Sequence, residues 1–98
     1  MPRIGRLHIA GGCYDLVGRG LERRYIFDCD EDKEDFFARV AQGLEDSDAV
    51  CLAWAMLSKH YHLLIRMGRQ PLSELMRTLL GGYTGSYNRR HNRIGYVF

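Results

Sequence analysis

Two histidines separated by a single tyrosine, His60 and His62, are the residues of this 98-residue sequence whose spacing could support metal chemistry. If the segment HYHLLIR forms a strand, side chains two positions apart point the same way, about 7 Å from each other. Two imidazoles so placed can share one divalent cation. Two histidines alone bind such an ion weakly, so two unrelated histidines beside a hairpin remain the alternative.

Arginine is concentrated in clusters outside one acidic segment. Residues 28–48 hold nine acids and two bases, whereas the remainder holds twelve bases and three acids, and eleven of those bases are arginine. The planar guanidinium grips phosphate with two hydrogen bonds, so the clusters favour a polyanionic partner over a merely mixed surface. The clusters are Arg3/Arg6, Arg19/Arg23/Arg24 and Arg89/Arg90/Arg93.

Composition restricts the class of protein. With 46% hydrophobic and 27% charged residues, the sequence is typical of one globular domain spanning residues 1–98. No uncharged stretch approaches the roughly 20 residues of a membrane-spanning helix, and the first residues lack a secretory signal. Three cysteines without a CxxC pair argue against a disulfide scaffold and predict a reducing, cytoplasmic location.

The first half of the sequence predicts a strand, a loop and a helix. Residues 7–17 alternate as a strand that Gly11 and Gly12 interrupt, and residues 18–27 form an arginine-rich loop. Asp32 has the properties of a helix N-cap, and acids fill the turn after it. Apolar residues then recur at helical spacing from Phe36 to Leu44.

The second half predicts a hairpin and a second helix. The apolar run 49–57 suits a strand buried on both faces, Ser58 and Lys59 make a tight turn, and His60–Arg66 returns as a strand. A helix begins at Pro71, and residues 95–98 start a further strand. The order β-α-β-β-α-β predicts an α+β, ferredoxin-like fold with an antiparallel sheet whose last strand is only a stub. The apolar stripe of the second helix comprises Leu72, Leu75, Met76, Leu79, Leu80, Tyr83 and Tyr87.

The longer motifs connect these elements. An apolar strand turns into His-x-His within AWAMLSKHYHLLIR, and PLSELMRTLLGGYTGSYNRRHNRIGYVF follows it. Together with CYDLVGRG and IFDCDEDKEDFF upstream, these stretches closely resemble the REP-associated tyrosine transposases, which are single-tyrosine HUH transposases of small bacterial insertion sequences. The resemblance covers nearly the whole sequence.

The resemblance implies DNA transposition by metal-dependent cleavage and transfer of single-stranded DNA that carries hairpins. His60 and His62 would hold Mg²⁺ or Mn²⁺ against the scissile phosphate, and a tyrosine would form a 5′-phosphotyrosine link while freeing a 3′-hydroxyl. A sheet edge and an apolar helix face left uncovered by the stub of the last strand predict pairing with a second copy, for which the family supplies precedent as a homodimer. The residues expected to contact nucleic acid are Arg19, Arg23, Arg24, Lys59, Asn88, Arg89, Arg90 and Arg93.

Two departures from the family pattern affect the activity. Leu57-Ser58-Lys59 stands where the family usually has Met-Pro-Asn. The nucleophilic tyrosine of the family lies on a helix after the last strand, so we expect it beyond Phe98, and Tyr83 and Tyr87 are predicted to be core residues. The alternative is a catalytically inactive, ferredoxin-like module that binds single-stranded nucleic acid.

Overall fold

The computed structural model describes residues 11–98, which form three strands, one short 3₁₀ turn and two long helices. The order β-α-β-β-α confirms the predicted α+β class. The beginning of the predicted first strand, and the cluster Arg3/Arg6, lie outside the described residues. The elements are β1 (Cys13–Arg19), a 3₁₀ turn (Leu21–Arg23), α1 (Asp30–Ser47), β2 (Val50–Leu57), β3 (His60–Arg66) and α2 (Leu72–His91).

The three strands form an antiparallel sheet in the order β1-β3-β2. The predicted turn at residues 58 and 59 joins β2 to β3, so β3 is the central strand. Both helices pack on the face that carries Tyr61, Leu63 and Ile65, all of which are buried as the alternation predicted. Among residues 11–98, no helix covers the opposite face of the sheet, where His60 and His62 lie.

The core is built around aromatic rings. The rings of Phe36 from α1 and Tyr61 from β3 lie 5.0 Å apart, and those of Phe36 and Tyr83 lie 5.2 Å apart. A Cβ atom at Gly18 of β1 would collide with the ring of Tyr61, so this strand position requires glycine. The predicted stripe of α2 is buried throughout, including Tyr87, which confirms that helix face.

The prediction that β2 is buried on both faces is wrong. β2 is an edge strand, and Leu52 and Trp54 are 48% and 55% exposed. A bulge between Cys51 and Ala53 adds Leu52 as an extra residue. An apolar run indicates a strand but does not reveal which neighbours it will have, and within residues 11–98 β2 pairs only with β3.

The predicted N-cap of the first helix is three residues too late. Cys29 is the N-cap, and α1 begins at Asp30. Asp32 is instead the third residue of the helix, and its carboxylate reaches back to the backbone N–H groups of Asp28 and Cys29. This is the second half of a capping box, in which an acid serves the turn before it. For α2 the difference is one residue, since Pro71 is its N-cap.

The predicted last strand is an extended segment with one backbone hydrogen bond to the turn after β1. Asn92, in the left-handed region at φ 53°, ends α2, and Gly95 at φ 93° redirects the chain. The carbonyl of Val97 then accepts a hydrogen bond from the N–H of Leu21 at 2.9 Å. The segment therefore meets the end of β1 instead of pairing along it, and Val97 and Phe98 close the core.

Candidate metal centre and nucleic-acid interface

The two histidines lie side by side on the uncovered face of the central strand. Their ring centroids are 5.1 Å apart, and the ring planes meet at 79°. Both residues are half-buried, while Tyr61 between them points into the core and is fully buried. The predicted common face of His60 and His62 is therefore confirmed, whereas binding of a metal there stays a prediction.

Cross-strand neighbours define the surroundings of this pair. Val17 and Ala55 stand on either side of His62, and Arg19 and Leu57 stand on either side of His60. Directly paired residues of an antiparallel sheet share a face. The residues paired directly with the two histidines are therefore three apolar side chains and one cation, Arg19.

The histidine pair could supply two ligands for a divalent ion. In residues 11–98, one group of three ligating side chains has donor atoms within 4.8 Å of one another. It includes neither His60 nor His62. Magnesium and manganese prefer octahedral coordination completed by water and phosphate oxygens, so a two-histidine pair fits an ion that also binds DNA. Imidazole favours manganese over magnesium in such a mixed site.

The turn after β1 brings arginines to the same end of the sheet. The N–H of Gly20 donates to the carbonyl of Lys59 at 2.9 Å, which ties this turn to the β2–β3 turn. The backbone of Arg23 is left-handed at φ 64°, and the carbonyl of Arg24 lies where a side chain at position 20 would stand. Arg19, which pairs with His60, and Arg23 in the turn are both exposed, as an anion-binding role requires.

Arg24 makes contacts inside the protein. Its Nη1 donates to the carbonyl of Tyr96 at 2.8 Å, and its guanidinium lies 5.4 Å from the ring centroid of Tyr87. Its Nε and Nη2 are buried and have no hydrogen-bond partner among residues 11–98. Arg24 therefore fastens the C-terminal segment to the turn, and its predicted contact with nucleic acid remains untested.

The predicted contacts at the end of α2 divide into two groups. Arg89 and Arg93 are exposed. Asn88 Nδ2 donates to the carbonyl of Gly95 at 2.9 Å, so it holds the turn that follows the helix. Arg90 turns inward, where its Nε donates to Asp32 Oδ1 at 2.6 Å. Arg89 and Arg93 therefore present the free guanidinium groups of this cluster.

Asp32 connects the two helices, a contact that sequence reasoning missed. Its fully buried carboxylate accepts hydrogen bonds from the N–H groups of Asp28 and Cys29, from Arg90, and from His91 Nε2 at 2.8 Å. Burial alone would raise the pKa of this carboxyl, but the Asp28, His91 and Arg90 hydrogen bonds outweigh it and lower the pKa. The sequence carries only a slight signal for this contact, namely an acid in the first turn of α1 and Arg90-His91 in the last turn of α2.

The group of three possible ligands is Cys29, Asp32 and His91. Its geometry has a sufficient explanation without an ion, because Asp32 already accepts hydrogen bonds from four donors and Arg90 places a positive charge 2.6 Å away. A cation would have to compete with that charge. We therefore interpret this group as a clamp between the helices.

Three tyrosines are unsuited to act as nucleophiles. Tyr61, Tyr83 and Tyr87 are fully buried, and burial raises the pKa of each phenol. Tyr83 donates to the carbonyl of Ile26, and Tyr87 donates to a carboxylate oxygen at 2.9 Å. The prediction that Tyr83 and Tyr87 belong to the core is confirmed.

None of the described helices is long and apolar enough to cross a membrane.

No protein-family model and no curated protein matches the sequence. One solved structure does match, described as the structure of a REP-associated tyrosine transposase bound to a REP hairpin. The alignment has a TM-score of 0.72 at 19% identity and covers 90% of this chain and 54% of the other, so this chain spans about half the length of that transposase. The protein therefore shares its fold with a REP-associated tyrosine transposase, as its motifs predicted.

Proposed function

We propose that this chain is the metal-binding and DNA-binding part of a transposase that cleaves single-stranded DNA near a hairpin. One observation carries the proposal: His60 and His62 stand together on the uncovered face of the central strand, within the fold of a transposase whose structure holds a hairpin. This is the HUH arrangement that the motifs imply. The structural comparison shows the shared fold. Metal binding and DNA cleavage are our inference from the histidines and arginines that this fold carries.

The distribution of charge supports a DNA partner. Exposed Arg19 pairs with His60 across the strands, Arg23 is exposed in the turn that follows, and Arg89 and Arg93 are exposed at the end of α2. The acids of residues 28–48 belong mainly to α1, on the other side of the sheet. A polyanion would thus be attracted to the arginines and to the face that carries the histidines, and repelled from α1.

The proposed chemistry assigns separate tasks to these groups. A bound divalent ion supplies polarisation of a phosphoryl oxygen and neutralises charge that develops on it. His60 and His62 would hold that ion, and Arg19, paired with His60 across the strands, would contact the same phosphate. A tyrosine oxygen bonds to phosphorus as the bond to the 3′-oxygen breaks, and the proton that the phenol loses is balanced by the proton that the leaving 3′-oxygen gains. The motif resemblance places that tyrosine after Phe98.

A metal titration tests the assignment directly. We expect wild-type protein to bind Mn²⁺ by calorimetry, more tightly with a hairpin-bearing DNA strand present, and His60→Ala/His62→Ala to abolish that binding. Leu64→Ala is the matched control, because Leu64 lies on the same strand and face but cannot ligate a metal. Unchanged Mn²⁺ affinity in the double variant would refute the metal centre.

A catalytically inactive module that binds single-stranded nucleic acid is the second candidate. It is favoured by the absence of a third ligating side chain near the histidine pair within residues 11–98. The DNA affinity of such a module would be the same in the presence of Mn²⁺ as in the presence of a metal chelator. A Mn²⁺-dependent increase in affinity that His60→Ala/His62→Ala removes would exclude it.

We also propose that the protein pairs with a second copy through the outer edge of β2. Val50 and Leu52 are exposed on this strand. An apolar groove of about 190 Å³, lined in part by Phe37 and Trp54, opens between α1 and β2. An exposed apolar edge strand is a ready template for another strand.

A cytoplasmic location remains part of the proposal, and it agrees with the three cysteines being free thiols.

A further inference from the structure

Two tyrosines present open rings at the end of the sheet that carries the histidines. Tyr25 is 53% exposed and Tyr96 is 77% exposed, in contrast to the three buried tyrosines of the core. Arg24, the neighbour of Tyr25, donates a hydrogen bond to the backbone carbonyl of Tyr96 at 2.8 Å. This contact holds the two exposed tyrosines in one region although they are far apart in sequence.

Cations accompany both rings. The Lys59 ammonium lies 5.3 Å from the centroid of the Tyr25 ring, and Lys59 immediately precedes His60. Residues 19–25 contain three arginines and one acid, and residues 89–96 contain three arginines and no acid. Of these arginines, Arg19, Arg23, Arg89 and Arg93 are exposed.

We infer that Tyr25 and Tyr96 form a stacking platform for unpaired bases of a single DNA strand, while Lys59, Arg23 and Arg93 contact its phosphates. The inference rests on the proposed function and specifies the part of the substrate that this surface holds. Proteins that bind single strands combine aromatic faces with a positively charged path for the backbone. Paired bases are already stacked within a duplex, so open rings select unpaired nucleotides.

The position of the platform gives it a role in the reaction. Because Lys59 contacts the Tyr25 ring and directly precedes His60, a strand stacked on Tyr25 would run towards the histidine pair. The platform would thereby fix which phosphodiester of an unpaired segment reaches the metal centre. A hairpin stem would be held outside the platform by the exposed arginines.

Binding to an oligothymidylate and to an oligomer of the same length with abasic positions separates stacking from charge. We expect Tyr25→Ala and Tyr96→Ala each to weaken binding to oligothymidylate about tenfold. Tyr25→Phe and Tyr96→Phe should bind like wild type because the ring remains. On the abasic oligomer, both alanine variants should match wild type. Ile94→Ala is the control, since Ile94 is an exposed apolar residue close to Tyr96 in the sequence that carries no ring.

The outcomes distinguish this inference from the function on which it rests. Wild-type protein that binds neither oligomer nor a hairpin-bearing strand would refute the proposed function and the platform together. Wild-type binding that neither alanine substitution weakens would refute the platform alone. Equal losses on oligothymidylate and on the abasic oligomer would also refute it, because such losses would not depend on a base. Thermal melting of each variant confirms that the fold is retained.

Discussion

His91 in the last turn of α2 donates a hydrogen bond from Nε2 to the buried carboxylate of Asp32 in the first turn of α1, at 2.8 Å. Arg90 donates to the same carboxylate at 2.6 Å. One acid therefore completes the N-terminal turn of one helix and anchors the C-terminal turn of the other. The end of α2 bears exposed Arg89 and Arg93, so this contact also positions the basic surface proposed to meet DNA.

Replacing that acid should destabilise the protein. We expect Asp32→Asn to lower the free energy of unfolding by about 2 kcal/mol, because charge-assisted hydrogen bonds are lost and Arg90 keeps a partly buried charge. Urea denaturation measures the change. Asp30→Asn, an exposed position in the same helical turn, is the control and should change stability by less than about 0.5 kcal/mol. Equal stability of the two variants would contradict the clamp.

The same contact should make stability depend on pH. The pKa of Asp32 in the folded protein is lowered from its ordinary value of 3.8, so its contribution to stability is complete above that value. The contribution is lost as pH falls through the lower folded pKa. We expect the unfolding free energy of wild-type protein to decrease below about pH 4 more steeply than that of Asp32→Asn. Parallel curves for the two proteins would be inconsistent with a lowered pKa.

Four arginines should fall into two groups, one that binds DNA and one that stabilises the fold. Arg89→Ala and Arg93→Ala should each reduce the slope of log affinity against log salt by about one for a DNA strand, because each loses a phosphate contact. Arg24→Ala and Arg90→Ala should chiefly lower the melting temperature, since these side chains bind Tyr96 and Asp32. Affinity measured across a salt series, with melting curves for all four variants, tests this division. The reverse pattern would place the DNA surface elsewhere.

Two glycines should respond oppositely to the same substitution. Gly18→Ala would drive a methyl group into the ring of Tyr61 and should cost about 1–3 kcal/mol of stability. Gly81→Ala would place its methyl group in open space outside the backbone of α2, and should stabilise the protein by about 0.5–1 kcal/mol. Chemical denaturation of both variants provides the comparison. A neutral Gly18→Ala would mean that Tyr61 can move.

Pairing through β2 should be sensitive to a charge at its edge. Leu52, the extra residue of the bulge, is 48% exposed, so Leu52→Lys should leave the fold intact while opposing the approach of a second strand. Light scattering is expected to show a dimer for wild-type protein and a monomer for the variant. A wild-type monomer at high micromolar concentration would exclude the dimer.

Local patterns predicted local features well. Alternation located Tyr61 and the histidines on opposite faces of β3, and helical spacing identified the buried stripe of α2. Contacts between residues far apart in the sequence could not be predicted from local patterns. The position of Asp32 does not indicate that Arg90 will bind it, and the apolar sequence of β2 does not indicate that it is an edge strand. For this reason the arginines were predicted as one class, although the structure separates exposed Arg89 from inward-facing Arg90.

Trp54 is the single tryptophan of the chain, and it lies on the helix-facing side of the edge strand with its ring 5.4 Å from that of Phe37. The histidine pair occupies the opposite side of the same sheet. Intrinsic fluorescence therefore reports on the edge groove and not on the proposed DNA face. Occupation of the groove by a second copy would dehydrate the indole and shift its emission to shorter wavelength, whereas nucleic acid on the far side would leave that wavelength unchanged. The protein carries its own optical probe that distinguishes self-association from DNA binding.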